Sequence, residues 1–331
     1  MSTEPADFAY DPDVASHQWL QDRIIDPDER NWQALYHVIP DGYEAYARIF
    51  HRAQRDRIIG ELTWQQLEAD AEQRIYHHDL QTEDEPVRWA QVAETFGTVM
   101  HPQAQWHRLI RQSEPYNHGT LLDDAGWRYS EPQEGSLDLA QLGALAEVLV
   151  QHTETPAETV FAIWEGWGGL TSSDGYMVMR FYGGIRGRIN SWRHKLMRNY
   201  RGPVIRFNRP AKPGTGALDV ESSSGPRLEL PNRNYILFEG DLQSFADGSW
   251  VYSAPWLREG DEMHPQTPSL IWPADQAWVA ATEIDFDSTV VAGNRELIDQ
   301  LLQHPDLEAL EISIETDLTH LGDTINAPSG G

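Results

Sequence analysis

Ser269–Gly293 reads SLIWPADQAWVAATEIDFDSTVVAG, in which the apolar runs SLIWP, AWVAATEIDF and STVVAG are separated by a Pro-Ala-Asp break and an acidic stretch. β-Branched and aromatic residues bounded by such breakers predict consecutive strands. Working outward, TVFAIW (Thr159–Trp164), MVMRFYGG, PVIRFN and RNYILFEG (Arg233–Gly240) carry the same character. One helix interrupts them: Asn294 can cap RELIDQLLQH (Arg295–His304) and Pro305 stops it. A short strand is expected at Leu310–Ile314.

Towards the N-terminus the pattern turns helical. Thr63 is a cap before WQQLEADAEQRI, and further helices are expected at Val87–Phe96, Gln103–Arg111 and, most clearly, Leu137–His152, whose Leu139, Leu142, Leu145, Ala146 and Leu149 form a stripe. Trp32–His51 carries a Pro-Asp-Gly hairpin signal at Pro40–Gly42, with Tyr43–Ala53 open to a helical reading; Ser113–Ser136 reads as a long loop. The expected fold class is α+β, a helix-rich N-terminal half packed on a mostly antiparallel sheet from the C-terminal half. The expected division is a polar arm (1–30), a helix-rich part (31–155), a sheet-rich part (156–317) with a basic insertion (180–212), and a flexible tail (318–331).

The chain has 331 residues, 25 Lys and Arg against 52 Asp and Glu, a formal charge of −27 and no cysteine. Disulfides, thiolate nucleophiles and Cys-ligated metals are thereby excluded. The acid surplus repels nucleic acid and anionic membranes and favours basic partners. The opening MSTEPADFAYDPD has no basic segment or apolar run, and the longest mostly apolar stretch, LAQLGALAEVLV (Leu139–Val150), is too short to span a bilayer. A soluble, cytoplasmic protein is expected. Charge is unevenly placed: Gly175–Leu218 contains no Asp or Glu but ten of the basic residues. Arg186, Arg188, Arg193, Lys195 and Arg198 there are candidate anion-binding residues, helped by the glycines of GGIRGR, which let backbone N–H groups approach a ligand. The alternative, and the favoured one, is that this segment neutralises the protein's own acidic surface.

IDFDST (Ile284–Thr289) resembles the first motif of the haloacid-dehalogenase phosphotransferases, whose first Asp is a nucleophile. That resemblance spans six residues, and the 42 that follow Thr289 contain no Lys for the later motifs. The same residues allow a metal-binding Asp-x-Asp: strand alternation would set Glu283, Asp285 and Asp287 on one face, where repulsion calls for water, an arginine or a divalent cation such as magnesium. A solvated face with Ile284 and Phe286 in the core is the favoured reading, and no resident cofactor is expected. His37, His51, His77, His78, His101, His107 and His118 cluster early in the chain, but no HExxH or His-x-His spacing fixes ligands, so they read as surface or capping residues. Walker, nucleophile-elbow and dinucleotide-binding patterns are missing. Trp164 and Trp167 in WEGWGG form a candidate aromatic binding edge.

At WEGWGG, LPNRNYILFEG (Leu230–Gly240) and Ser269–Gly293 the chain resembles a group of uncharacterised actinobacterial proteins, over roughly two thirds of its length. The resemblance implies a bacterial cytoplasmic protein and carries no activity or catalytic residue. The first functional expectation is a non-catalytic interaction or regulatory protein, comparable to toxin-neutralising immunity proteins, whose acidic surface and tryptophans bind a basic protein. The alternatives are a metal-dependent enzyme or binding protein for an anionic small molecule, and nucleic-acid binding through the arginine segment.

Overall fold

The structure, a computed structural model, describes residues 8–26, 33–69, 80–112, 121–172, 212–231, 233–258, 260 and 265–327. The chain divides into two compact units, 1–165 with 226–331, and 166–225.

The first unit contains two antiparallel sheets. The larger runs β1 (Ala9–Asp11), β9 (Arg233–Gly240), β7 (Thr159–Trp164), β10 (Leu270–Pro273), β11 (Val279–Ala281), β12 (Ser288–Gly293), β2 (Ala45–Phe50), β13 (Ala309–Ile312). A ninth strand, β8 (Leu228–Leu230), continues the β1 edge: β1 pairs with the Leu237–Glu239 end of β9 and β8 with its Arg233–Tyr235 end. Both faces of this sheet are covered, which is why its strands read as unbroken apolar runs. Val160 and Ala162 of β7 face a core closed by Leu20 and Ile24 with Leu35, Val38 and Ile39. Phe161, between them, points the other way, into a stack with Phe245 and Trp250 whose ring centroids are 4.7 and 4.6 Å apart. On that side lies the helix α5 (Leu139–Val150), begun by the Asp138 side chain accepting the Gln141 N–H and tied to the sheet where the Trp278 indole donates to the Leu149 carbonyl.

The smaller sheet, β4-β3-β6-β5, consists of β3 (Ala53–Ile58), β4 (Thr82–Val87), β5 (Leu121–Leu122) and β6 (Arg128–Ser130). Its strands are written in charge. Arg55 and Arg57 stand directly opposite Glu85 and Glu83, and Asp56 stands opposite Arg128, each pair joined by a salt bridge. Arg55 and Arg57 lie 4.4 and 4.6 Å from the Trp127 ring, and on the other face Arg128 lies 3.5 Å from that of Trp64. Helices α3 (Trp89–Phe96) and α4 (Trp106–Leu109) supply the second core, in which Trp89, Val92, Trp106 and Leu109 pack with Phe50, Val87 and Tyr129.

This corrects the expected fold class. The protein is sheet-rich, with helices scattered along it, and the N-terminal half holds β1 to β6 rather than a helical layer. AYARIF, open to a helical reading, is β2, buried along its whole length between β12 and β13. AQRDRI and TEDEPV show little β-propensity, because opposite charges across the ladder, rather than apolar alternation, stabilise that pairing. The Ser113–Ser136 loop contributes β5 and β6.

In the second unit, the Ala217 and Leu218 N–H groups donate to the Gly169 and Leu170 carbonyls, and a Cβ on Gly216 would fall 2.2 Å from the Leu170 oxygen. Asp219 then caps α6 (Val220–Ser224). Among the described residues no helix is long and apolar enough to cross a membrane.

The chain leaves the large sheet for the small one at Phe50–Ala53, and side chains replace the ladder there. Gln141 donates to the Phe50 carbonyl (2.9 Å) and accepts the Arg52 N–H (3.0 Å), while the Trp89 indole donates to the His51 carbonyl (2.8 Å). Gln141 is fully buried, so truncating its amide strands two backbone groups. Gln141→Met, close in volume, is expected to lower unfolding stability by about 2–4 kcal/mol in urea titrations, whereas Gln151→Met at the exposed end of the same helix changes it by less than about 0.5 kcal/mol.

Candidate functional site

Thr282–Asp287 is the connection between β11 and β12, not a continuation of strand, so the expected alternation of Glu283, Asp285 and Asp287 does not arise. The Phe286 N–H closes a turn on the Glu283 carbonyl (2.9 Å). Two neighbours clamp the turn from behind: the Gly135 N–H donates to the Phe286 carbonyl (2.9 Å) and the His51 N–H to the Asp287 carbonyl (3.0 Å). Gly135 has φ +68°, and a Cβ there would lie 2.7 Å from the Ile284 oxygen, so only glycine lets 131–136 approach this closely.

Two arginines hold the three carboxylates. Arg233 at the start of β9 donates to Glu283 (2.7 Å) and Asp285 (2.7 Å), with its guanidinium 5.2 Å from the Trp164 ring. Arg48, in the middle of β2, donates to Asp287 (3.1 Å). Burial opposes the charge on Arg233, but its bonds to Glu283 and Asp285 outweigh that and raise its pKa. Burial likewise pushes the Asp287 carboxyl up, and Arg48 counters it. Among the described residues no group of three or more His, Asp or Glu side chains is placed to hold a metal ion.

The turn separates two concavities, and Asp285 and Phe286 line both. On the Arg233 side is a cavity of about 230 Å³. On the other side is a cleft of about 260 Å³ with an acidic rim of Glu131, Glu134, Asp285 and Asp287, and with His107 and His320 in its wall. Burial, then the Asp287, Asp285 and Glu131 charges, push the Glu134 pKa up. The His107 pKa is pushed down to about 4, by burial first and then by Arg108 and His320, so the ring is neutral; its buried Nε2 has no hydrogen-bond partner.

Beneath the turn runs a directed chain of hydrogen bonds. His51 is buried, which lowers its pKa to about 4. The neutral ring donates from Nδ1 to the Gln133 carbonyl (2.7 Å), so Nε2 accepts from the Thr289 hydroxyl (3.0 Å), which in turn accepts from Thr282 (2.8 Å). Behind Gln105, which lines the cleft, the nearly inaccessible Asp323 accepts from His101 (2.9 Å), the Gln105 N–H (3.1 Å) and Asn326. Burial works against its charge, yet these bonds together hold its pKa below the usual carboxylate value.

Of the residues singled out from sequence, Glu283, Asp285 and Asp287 come together with Arg233 and Arg48 at the turn. Arg186, Arg188, Arg193, Lys195 and Arg198 lie outside the described residues. Trp164, half-buried, packs on the large-sheet core and under Arg233, while Trp167 belongs to the second unit. Of the early histidines, read as surface or capping groups, His51, His101 and His107 are instead buried and His37 is half-buried, while His77, His78 and His118 lie outside the described residues. Sequence reading passed over Arg233, Tyr235, Ser269, Glu131 and Glu134. The i, i+2 spacing of Arg233 and Tyr235 within RNYILFEG was the available signal for two of them. No family model, curated protein or solved structure matches the chain.

His51 makes stability pH-dependent. Its folded pKa of about 4 lies below the unfolded value of 6.5, so its contribution is fully present above about pH 6.5 and drains away as pH falls towards 4. Between pH 7 and pH 5 this one group removes about 2 kcal/mol. In urea titrations at the two pH values, His51→Gln is expected to reduce the pH-dependent loss by about that amount.

Proposed function

We propose that this is a non-catalytic interaction protein that binds a basic protein partner, and that the cleft between the acidic turn and residues 131–134 receives a cationic side chain of that partner. The observation that carries the reading is the charge of the lining: Glu131, Glu134, Asp285 and Asp287 meet there, and no Lys or Arg is among the described residues that line it. Burial first, and then the neighbouring carboxylates, raise the Glu134 pKa, so an incoming ammonium or guanidinium relieves repulsion as well as forming a pair. A neutral His107 with an unpartnered Nε2 adds no opposing charge. The net charge of −27 would steer a basic partner towards the surface from a distance.

Seven of the thirteen tryptophans support the fold. Trp89, Trp106, Trp127, Trp250, Trp256, Trp272 and Trp278 are all buried. The reading therefore rests on carboxylates alone, and a bacterial cytoplasmic setting, as the resemblance of WEGWGG and Leu230–Gly240 implies, is part of the proposal.

The test is titration calorimetry of the full chain with a hexa-arginine peptide over a series of salt concentrations. Wild-type affinity is expected to fall with salt, and Glu131→Gln with Glu134→Gln to weaken binding at least about fivefold. Glu147→Gln with Glu239→Gln removes the same charge from exposed positions elsewhere and is expected to weaken it by less than about twofold. Equal weakening by both pairs would show that net charge alone, and not the cleft, binds the peptide.

A further inference from the structure

The cavity on the Arg233 side of the turn has a different chemistry. Its volume of about 230 Å³ equals the share of about eight water molecules in the liquid. Val38, Leu230, Leu270, Ala281 and Phe286 make much of its wall apolar. Against that wall stand two hydroxyl side chains, of which that of Ser269 has its hydrogen-bonding capacity unused. Ser269 is 2% exposed, and its hydroxyl has no partner. The Tyr235 phenol is also buried; burial first, then Glu283, raises its pKa, so it stays protonated. Buried hydroxyls without partners are rare in folded proteins, because each carries its full desolvation penalty. One at Ser269, facing the cavity, indicates an occupant that supplies the missing bond.

The charge of the lining decides the occupant's sign. Glu283 and Asp285 against Arg233 leave a surplus of one negative charge, and burial keeps His37 neutral against the opposing influence of Glu283. Arg233 already donates to Glu283 from both Nε (3.2 Å) and a terminal nitrogen (2.7 Å), and to Asp285 (2.7 Å). An anion would have to strip those bonds and then face the carboxylates it displaced. A cation finds the free lone pairs of Glu283, hydroxyl oxygens that can accept, and the aromatic surfaces of Tyr235 and Phe286.

We infer that this cavity is a binding site for a small organic cation, a protonated amine on a compact apolar body, with Glu283, Tyr235 and Ser269 around the ammonium group and Leu270 and Phe286 against the body. The site uses none of Glu131, Glu134 or His107, so it stands or falls independently of the acidic cleft.

The experiment is titration calorimetry of the full-length protein with three probes of nearly the same shape: benzylamine, benzyl alcohol and benzoate, each up to millimolar concentration. Benzylamine is expected to bind with one-to-one stoichiometry, and benzoate not at all. Glu283→Gln is expected to weaken benzylamine about tenfold or more, Ser269→Ala about three- to tenfold, and Glu147→Gln on the α5 surface not measurably. Ser269→Ala removes one atom from a site with no existing bond to lose, so it remains informative even if Glu283→Gln disturbs Arg233 enough to impair folding. Benzoate or benzyl alcohol binding as tightly as benzylamine, benzylamine binding unaffected by Ser269→Ala, or no benzylamine binding would each overturn the assignment.

Discussion

A guanidinium is buried where the two hydrophobic cores meet, and the placement of both concavities follows from how it is satisfied. Arg48 is 1% exposed. On one face of β2 it stands between Tyr46, which belongs to the large-sheet core, and Phe50, which belongs to the core of the small sheet. Such a charge survives only if every donor finds a partner. Arg48 donates to the Ser288 hydroxyl (2.9 Å), the carbonyls of Pro102 (3.0 Å) and Ala104 (2.8 Å), and Asp287, and it lies 4.3 Å from the Phe50 ring. One side chain thus joins β2, the start of β12, the segment that carries His107, and the end of the acidic turn.

With Asp287 drawn inward by Arg48, and with Glu283 and Asp285 drawn to the opposite side by Arg233, the turn becomes a partition. Its two faces then differ in chemistry for a simple reason. One side meets 131–134, which brings more carboxylates, and the other meets β9 and β10, which bring Tyr235, Ser269 and apolar residues. The Thr282–Thr289–His51–Gln133 chain fixes the base of the partition without adding charge, since a neutral histidine can donate on one side and accept on the other. Gly135 permits the approach that brings Glu131 and Glu134 alongside.

The large sheet was legible wherever burial made strands uniformly apolar: TVFAIW, RNYILFEG, SLIWP and STVVAG are all strands, and Asn294 caps its helix as its side chain suggested. Three features were not legible. Charge-paired β3 and β4 look like solvated coil until their partners are known, because the stabilising residue for Arg55 is Glu85, thirty positions away. TEIDFD carries strand-forming residues, yet the Phe286 N–H turns back on the Glu283 carbonyl, and the Phe286 and Asp287 carbonyls accept from the Gly135 and His51 N–H groups rather than extend the β11 ladder. The site itself depends on partners distant in sequence, so that three adjacent acids announced a cluster of charge but gave no sign that Arg233 and Arg48 would divide them.

The buried Arg48 organises this region through more than its ion pair, and equilibrium urea unfolding of two single variants measures the difference. Arg48→Met leaves Asp287 uncompensated and strands the Pro102 and Ala104 carbonyls, so a loss of about 3–5 kcal/mol is expected. Asp287→Asn leaves Arg48 its three other partners beside a side chain 21% open to solvent, and the predicted loss is about 1–2 kcal/mol. Equal losses would show that Arg48 acts through its ion pair alone, and a loss below about 1 kcal/mol for Arg48→Met would make that pair no stronger than one at the surface.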